Sequence, residues 1–430
     1  MEPVFKNYQS SRSVRPNTIQ FQLAPTHVSY ANTLRRLCMT SVETVGFRAD
    51  IQDNGSTTDV EILANSTPMT NEMLAHRVGL LHIHVKDPLK WNSDDVTFIL
   101  DKTNTTDHAI DVTASDFLIV KKGADGMDMQ PESAAQFFPP NPTTGDTALL
   151  AVLKPLVPGG KPEEIRIKAK ATVGSGRDDP RFIPTCQCAY AYTRDSSPEA
   201  VKKVFDAWVE RSKKLNPASL ETEPEKKGIL MKEFNTLEIN RCFLKDEQGE
   251  PYSFDFTVES VGVLSPEYIV LRACEAGAKL CERFANDSLP NDVIVQVADC
   301  RLRAIDFFFQ KQDYTLGNLI QAWLDQHMVG QGDITFAGCD IPHPLRDEMV
   351  LRIGVAGDNP EATARSALKQ AMTACQAMFT AWRDQWSSIV IPVGPAAAAA
   401  LGPAQGSATQ ARRGVRRPAI LLPPVKVEKV

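Results

Sequence analysis

A pattern of strand, helix, strands and Pro-Glu-led helix occurs twice in this chain, and that repetition limits the available folds more than any other feature. NTLRRL at 32–37 and YTLGNLI at 314–320 each belong to an amphipathic run, the second directly after the polar Asp313. Ile19 to Leu23 and RAIDFFFQ (303–310), which precede them, read as strands. Further along, FTVESVGVLSPE at 256–267 aligns with LRIGVAGDNPE at 351–361. Ser265-Pro266-Glu267 and Asn359-Pro360-Glu361 each supply an N-cap, a first-turn proline and an acid at the positive end of a helix. Related units in one chain commonly pack about a pseudo-twofold axis, as homodimers do. The expected fold class is α+β: two such folds paired within one chain, the first interrupted by a mainly β insert.

The first unit carries an apolar stripe at Val28, Ala31, Leu34, Leu37/Cys38, Val42 and Val45, with Asn32, Arg35, Arg36 and Glu43 on the other face and Gly46 closing the helix. Residues from about 48 to 165 change character. Short strands (VEIL at 60–63, VTFIL at 96–100, FLIV at 117–120) alternate with Asn/Asp/Ser/Thr turns and end in a Pro/Gly-rich stretch at 138–162. Strand alternation returns at EIRIKAKATV (164–173) and CQCAYAY (186–192). Ser197-Pro198-Glu199 opens a helix on Val201, Val204, Phe205, Trp208 and Val209, followed by a charged loop to about 232. The helix behind Pro266 is striped by Ile269/Val270, Ala273, Ala276/Gly277, Leu280/Cys281 and Phe284.

Past a junction near 287–300 the second unit has a helix on Leu316, Leu319, Ile320, Trp323 and Leu324, then the strands ITFAG and EMVLRIGV. A long helix follows, striped by Ala364, Ala367/Leu368, Ala371/Met372, Cys375, Met378/Phe379, Trp382 and Trp386. About 26 helical residues make a rod of roughly 40 Å. The domain scheme is therefore 1–47, insert 48–165, 166–290 with a helical insertion at 197–232, a second unit at 300–390 and a tail at 391–430. The Ala/Pro/Gly-rich tail is expected to be disordered.

Charge narrows the function. The whole chain carries −6, but the tail holds Arg412, Arg413, Arg416, Arg417, Lys426 and Lys429 against Glu428, a balance of +5 that leaves −11 for the first 390 residues. So acidic a body is a poor wrapper of nucleic acid, and only the tail can act as a polycation toward phosphates. No run of eighteen apolar residues suggests a membrane span, and no N-terminal h-region suggests a secretory signal. The nine cysteines are scattered singly, which points to reduced thiols in the cytosol or nucleus.

Catalytic patterns are weak. His82 and His84 share a face of a presumed strand, with His76 and His108 as distant candidates, but no third ligand has metal-site spacing. A metal-dependent enzyme using the two histidines and a carboxylate is the rival reading. Solvated polar residues on the insert are the plainer one. Cys186 and Cys188 lack a second pair, while Cys274 and Cys281 fall on an apolar stripe. GSGRDDP (174–180) resembles a phosphate cradle only in its glycines; Arg177-Asp178-Asp179 is net negative, and a turn accounts for it. No G-x-S-x-G, Walker A or H-E-x-x-H motif is present.

Laid out in order, the motifs resemble two RNA polymerase subunits. YANTLRRLCMTSVETVGF, NEMLAHRVGLLHI (71–83), VTASDF, EEIRIKAKATVGSGRDDPRFIP (163–184) and YSFDFTVESVGVLSPE are similar to the third subunit of eukaryotic RNA polymerase II, to its archaeal D-type counterpart and to the bacterial alpha N-terminal domain. QKQDYTLGNLI, ITFAGCDIPHPL and the closing helix resemble the eleventh subunit and its archaeal L-type counterpart. The resemblance implies alpha-subunit-like dimerisation folds fused in one chain, as in large DNA viruses that carry their own polymerase. It implies a non-catalytic assembly platform, without cofactor, for transcription by the DNA-directed enzyme.

By the same implication, Asn32, Leu34, Arg35 and Arg36 face the second-largest subunit, and His76 and Arg77 also bind partners. The insert and nearby loops meet small zinc-binding subunits (tenth- and twelfth-like), and the second unit also touches the largest subunit. Leu316, Leu319, Ile320, Trp323, Leu368, Met372, Phe379 and Trp382 build the internal dimer interface. DNA is reached only through the complex; a direct phosphate contact by Arg412, Arg413, Arg416 and Arg417 is a separate reading from the charge of the tail. Residues 39–185 contain no cysteine, so the zinc cluster of some relatives is not expected. The implied location is nucleus or cytoplasm and, for a viral protein, the cytoplasmic factory and virion.

Overall fold

The computed structural model describes residues 4–10, 17–52, 57–123, 126–286, 288–298 and 303–390. In the first lobe β1 (Phe5–Ser10) and β2 (Thr18–Leu23) form an antiparallel pair, and the chain then enters α1 (Val28–Thr40). α1 stops six residues before Gly46, because Val42 lies in the bend after the helix and Val45 belongs to β3 (Glu43–Gly46). The run Thr40-Ser41-Val42-Glu43-Thr44-Val45 is rich in β-branched residues, which lose rotamer freedom in a helix and fit a pleated strand.

The insert contains β4 (Val60–Asn65), α2 (Asn71–Gly79), β5 (Val96–Asn104), β6 (Ile110–Thr113), β7 (Leu118–Lys121), β8 (Glu132–Ser133), β9 (Leu149–Leu153) and β10 (Glu163–Ala169). Five of the strands form a sheet in the order β4-β10-β5-β7-β8, while β6 and β9 form a separate ribbon. Its core gathers Phe47, Phe98, Phe117, Phe137 and Phe138 with Leu74 and Val78 of α2. EIRIKAKATV is two strands rather than one: β10 lies inside the insert sheet, whereas β11 (Thr172–Ser175) returns to pair with β3. The insert therefore ends at about 170 rather than 165.

Next come β12 (Thr185–Tyr192), α3 (Pro198–Trp208), α4 (Pro224–Leu237), β13 (Phe254–Ser260) and α5 (Pro266–Phe284). The region expected as a charged loop is α4, which has Pro224 and Glu225 at its first turn. Leu230 and Phe234, four apart, pack with Phe205, Trp208, Val209 and Leu220 into a separate small core. A short 3-10 turn at Ile239–Arg241 completes this insertion, beyond the boundary at 232. The second lobe contains β14 (Val293–Val297), β15 (Ala304–Gln310), α6 (Tyr314–His327), β16 (Ile334–Asp340), β17 (Glu348–Val355) and α7 (Pro360–Val390). α7 has 31 residues, a rod of roughly 46 Å.

The duplication is visible in the sheets. The first lobe orders its strands β1-β2-β13-β12 and the second β14-β15-β17-β16. α1 follows β2 as α6 follows β15, and α5 follows β13 as α7 follows β17. Matching rows cross the two sheets: Phe21, Phe256 and Tyr190 in one, Phe307, Leu351 and Cys339 in the other.

GSGRDDP is a turn packed beneath the end of α1. The Arg177 backbone N–H donates to the Thr40 carbonyl at 3.0 Å, and Asp178 Oδ2 accepts from the Ser175 N–H at 2.9 Å. A Cβ at Gly176 would collide with the Met39 carbonyl oxygen, whereas one at Gly228 in α4 would meet nothing within 4 Å. Gly176→Ala should lower unfolding free energy by about 2 kcal/mol or more, while Gly228→Ala should raise it by about 0.5–1 kcal/mol. Denaturant midpoints shifting in opposite directions would bear this out; equal shifts would refute the packing.

Candidate assembly interface

α1 and α6 lie side by side in opposite directions, and polar contacts mark both ends. The Tyr30 hydroxyl donates to Gln326 Oε1 at 2.9 Å. Six residues along α1, Arg36 Nη2 reaches Asp313 Oδ2 at 2.8 Å and Arg36 Nε donates to Thr315 Oγ1 at 2.5 Å. Asp313 is the N-cap of α6 and accepts from the Thr315 backbone N–H at 2.7 Å. Burial pushes its carboxyl up, but hydrogen bonds from Thr315, then the Arg36 and Arg177 guanidiniums, outweigh this and leave it below the usual carboxylate range. Between these ends Ala31, Leu34, Leu37 and Cys38 of α1 and Leu316, Leu319, Ile320 and Leu324 of α6 are buried.

α5 and α7 repeat the arrangement. Gly277 allows close approach, since a Cβ there would lie 2.9 Å from Phe379 and 3.0 Å from Leu37. Toward the other end, Trp386 Nε1 donates to the Glu267 carbonyl at 2.9 Å, and the Val4 N–H donates to Gln385 Oε1 at 3.0 Å. The Trp386 ring inserts among Phe5 and Phe21, each with its centroid 5.0 Å away, with Tyr8 at 5.7 Å. Phe21 in turn stacks on Phe256 at 5.0 Å. One lobe's terminal helix thus completes the other lobe's core. Buried thiols serve this packing in neutral form: burial pushes Cys281 up, and Cys375 up to about 12.

The candidate residues separate by location. Leu34, assigned to a partner face, is fully buried within the chain. Arg36, assigned likewise, is engaged by Asp313 and Thr315 of the second lobe. Arg35 is half-buried, donates to Asn32 Oδ1 at 3.0 Å and borders a surface cavity. His76 and Arg77 lie on the outer face of α2 with exposed Met73 and Leu80, and Arg77 Nη2 donates to the Leu149 carbonyl at 2.8 Å. Leu368, Met372, Phe379 and Trp382 are buried along α7. Trp323 is only half-buried and stacks on His327.

His82 and His84 are not on a strand. They occupy an extended segment after α2, and burial lowers both, His84 also through His82. Among the described residues no three His, Cys, Asp or Glu side chains are grouped to hold a metal ion. Arg412, Arg413, Arg416 and Arg417 lie outside the described residues. Sequence reading missed the contribution of Tyr8, Val4 and Phe5 to the seam; the alternation of β1 is interrupted by a bulge between Lys6 and Gln9.

Two lobes of equal strand order, closed on each other by paired helices, define an intramolecular pair of dimerisation domains. Residues 20–281, more than half of the chain, match the RNA polymerase Rpb3/Rpb11 dimerisation domain, and residues 304–385 match a second family model of the same description. The chain belongs to this family. Subunit Rpo3 of the DNA-directed RNA polymerase of Thermococcus kodakarensis is 25% identical over 279 residues, 64% of this chain and 94% of the relative. Subunit 3 of DNA-directed RNA polymerases II, IV and V of Arabidopsis thaliana is 25% identical over 301 residues, covering 61% and 86%. The rpb3 subunit of RNA polymerase II of Dictyostelium discoideum is 23% identical over 291 residues, covering 61% and 88%.

The seam predicts that the lobes stay together without their covalent link. A protease site placed between Ala298 and Arg303 and then cut should leave both fragments co-eluting on gel filtration in buffer and separating in denaturant. Separation in buffer would overturn the shared core. For Arg36–Asp313, both side chains are about one-third exposed, so a double-mutant cycle should give a coupling of about 0.5–1 kcal/mol. Asp313→Ala alone should cost about 1 kcal/mol through the lost cap. Because the folded carboxyl is depressed, its contribution is fully present above the unfolded value near 3.9 and fades as pH falls through the lower folded value. A coupling that is flat from pH 7 to 5 and declines below about pH 4 is the expected result.

Proposed function

We propose that this protein is a non-catalytic assembly-platform subunit of a multisubunit DNA-directed RNA polymerase, carrying a third- and an eleventh-subunit-like partner in one chain. The observation that carries the reading is the seam: both family matches fall in one polypeptide, and Trp386 of one lobe fills the core of the other. Tethering makes the pairing intramolecular, at an effective concentration of order mM. Against about 1 µM free subunits this factor of roughly a thousand is worth about 4 kcal/mol.

The platform presents the Arg35 side of α1 to the second-largest subunit, the insert with its His76/Arg77 face to the small zinc-binding subunits, and the second lobe also to the largest subunit. The chain's role is to join and orient these subunits, while nucleotide transfer belongs to the catalytic pair. The fused organisation favours a large DNA virus as source, with action in cytoplasmic factories and packaging in virions. Affinity capture of the tagged full chain from its own source, followed by mass spectrometry, should recover the largest and second-largest polymerase subunits in near-equal amounts. Recovery of neither would overturn the assembly reading.

A further inference from the structure

The two lobes share a strand order but differ at one matched position. NTLR at 32–35 aligns with YTLG at 314–317, which sets Arg35 against Gly317. In the second lobe Gly317 lets α6 close onto β16: a Cβ there would lie 2.9 Å from both Cβ and Sγ of Cys339. In the first lobe Tyr190 occupies the row that Cys339 occupies in the second. The larger pair, Arg35 and Tyr190, leaves a cavity of about 440 Å³ lined by Arg35, Cys188, Ala189, Tyr190 and Tyr192.

β12 ends its sheet and pairs only with β13. Among the described residues no further backbone hydrogen bond links Thr185–Tyr192 to any element on its other side. Such an edge is a template for an added strand. The inward row Cys188, Tyr190 and Tyr192 continues the apolar face of Val258, Phe256 and Phe254 past this edge. Tyr190 packs on Phe254 and Phe256, each 5.4 Å away, while Tyr192 remains 42% exposed. Arg35 has no carboxylate partner among the described residues, although Arg36 beside it has one. A guanidinium without a counter-charge at the mouth of an open strand edge is complementary to a carboxylate, which it can bind in bidentate fashion.

We propose that the β12 edge receives an extended segment of a second polypeptide as a fifth strand, with an Asp or Glu of that segment docked on Arg35 and apolar side chains over Tyr190 and Tyr192. The assignment of that polypeptide to the polymerase rests on the function proposed above; the strand addition rests on the edge and the cavity. Backbone pairing distinguishes this mode from side-chain docking, since only an added strand protects the outward amides of β12.

Hydrogen–deuterium exchange of the full chain, free and within the captured complex, reads this directly. On assembly, amides in Cys186–Tyr192 should slow by about tenfold or more, and cross-linking from position 192 should yield a partner peptide containing Asp or Glu. Arg35→Glu should keep the melting temperature of the free chain and reduce capture by about tenfold or more. Capture of polymerase subunits with β12 left unprotected overturns strand addition while sparing the assembly reading; capture of none overturns both. Protection that grows with concentration of the free chain would identify a second copy as the occupant. Protection lost on truncation at residue 391 would identify the chain's own tail, and either result overturns the proposal.

Discussion

Insertion of the Trp386 indole between β1, β2 and the start of α5 is the contact on which the architecture depends. The ring is fully buried, touches Phe5, Phe21 and Tyr8, and directs its one polar atom to the Glu267 carbonyl. A buried indole with its N–H paired adds area burial and orientation without an unsatisfied donor. The residue comes from the far end of the chain, whereas its pocket comes from the first residues and from 267. Neither lobe presents a complete core alone. The first lacks the side chain that fills the space, and the second would expose Trp382, Trp386 and Phe379 to water. Large exposed aromatic faces are costly, so the lobes are held together by what each leaves open.

Specificity sits at the other end of the seam. Arg36, Asp313 and Thr315 join α1 to the cap of α6, and the antiparallel pairing fixes which ends meet. The ion pair is worth little as stability because it is partly solvated. Its value lies in register, since sliding either helix by a turn removes the cap contact and the Tyr30–Gln326 bond together. Apolar packing supplies the energy and a few polar atoms choose the alignment.

Much of this is legible in the sequence, for identifiable reasons. Thr315-Leu316 and the two Pro-Glu caps announce helix starts, while the matching Thr33-Leu34 lies inside α1, and the 3.6-residue stripe of α7 announces a buried face; each is a local signal. Leu34 is misassigned to a partner face because periodicity marks a residue as apolar without saying which surface covers it. The inner partner of Arg36 is hidden because an arginine bound to another subunit and one bound 277 residues away in the same chain look identical in sequence. α4 is hidden by EPEKKG, whose charges mask the Leu230/Phe234 spacing. β14 escapes notice because a five-residue alternating run resembles a linker until β15 pairs with it.

Duplication explains why the two lobes differ where they do. A symmetric pair offers the same surface twice, so an edge that binds one strand would bind two unless one copy is closed. Gly317 brings α6 against Cys339 of β16 in the second lobe, whereas in the first Cys188 of β12 reaches the Arg35 carbonyl at 3.6 Å and the Arg35 and Tyr190 side chains border an open cavity. The insert and the helical insertion also interrupt only the first lobe, between β3 and β11 and between β12 and β13. The second lobe is compact in sequence and contributes chiefly the seam. Both halves of the duplicated fold supply the pairing surface, and only the first carries the inserted elements.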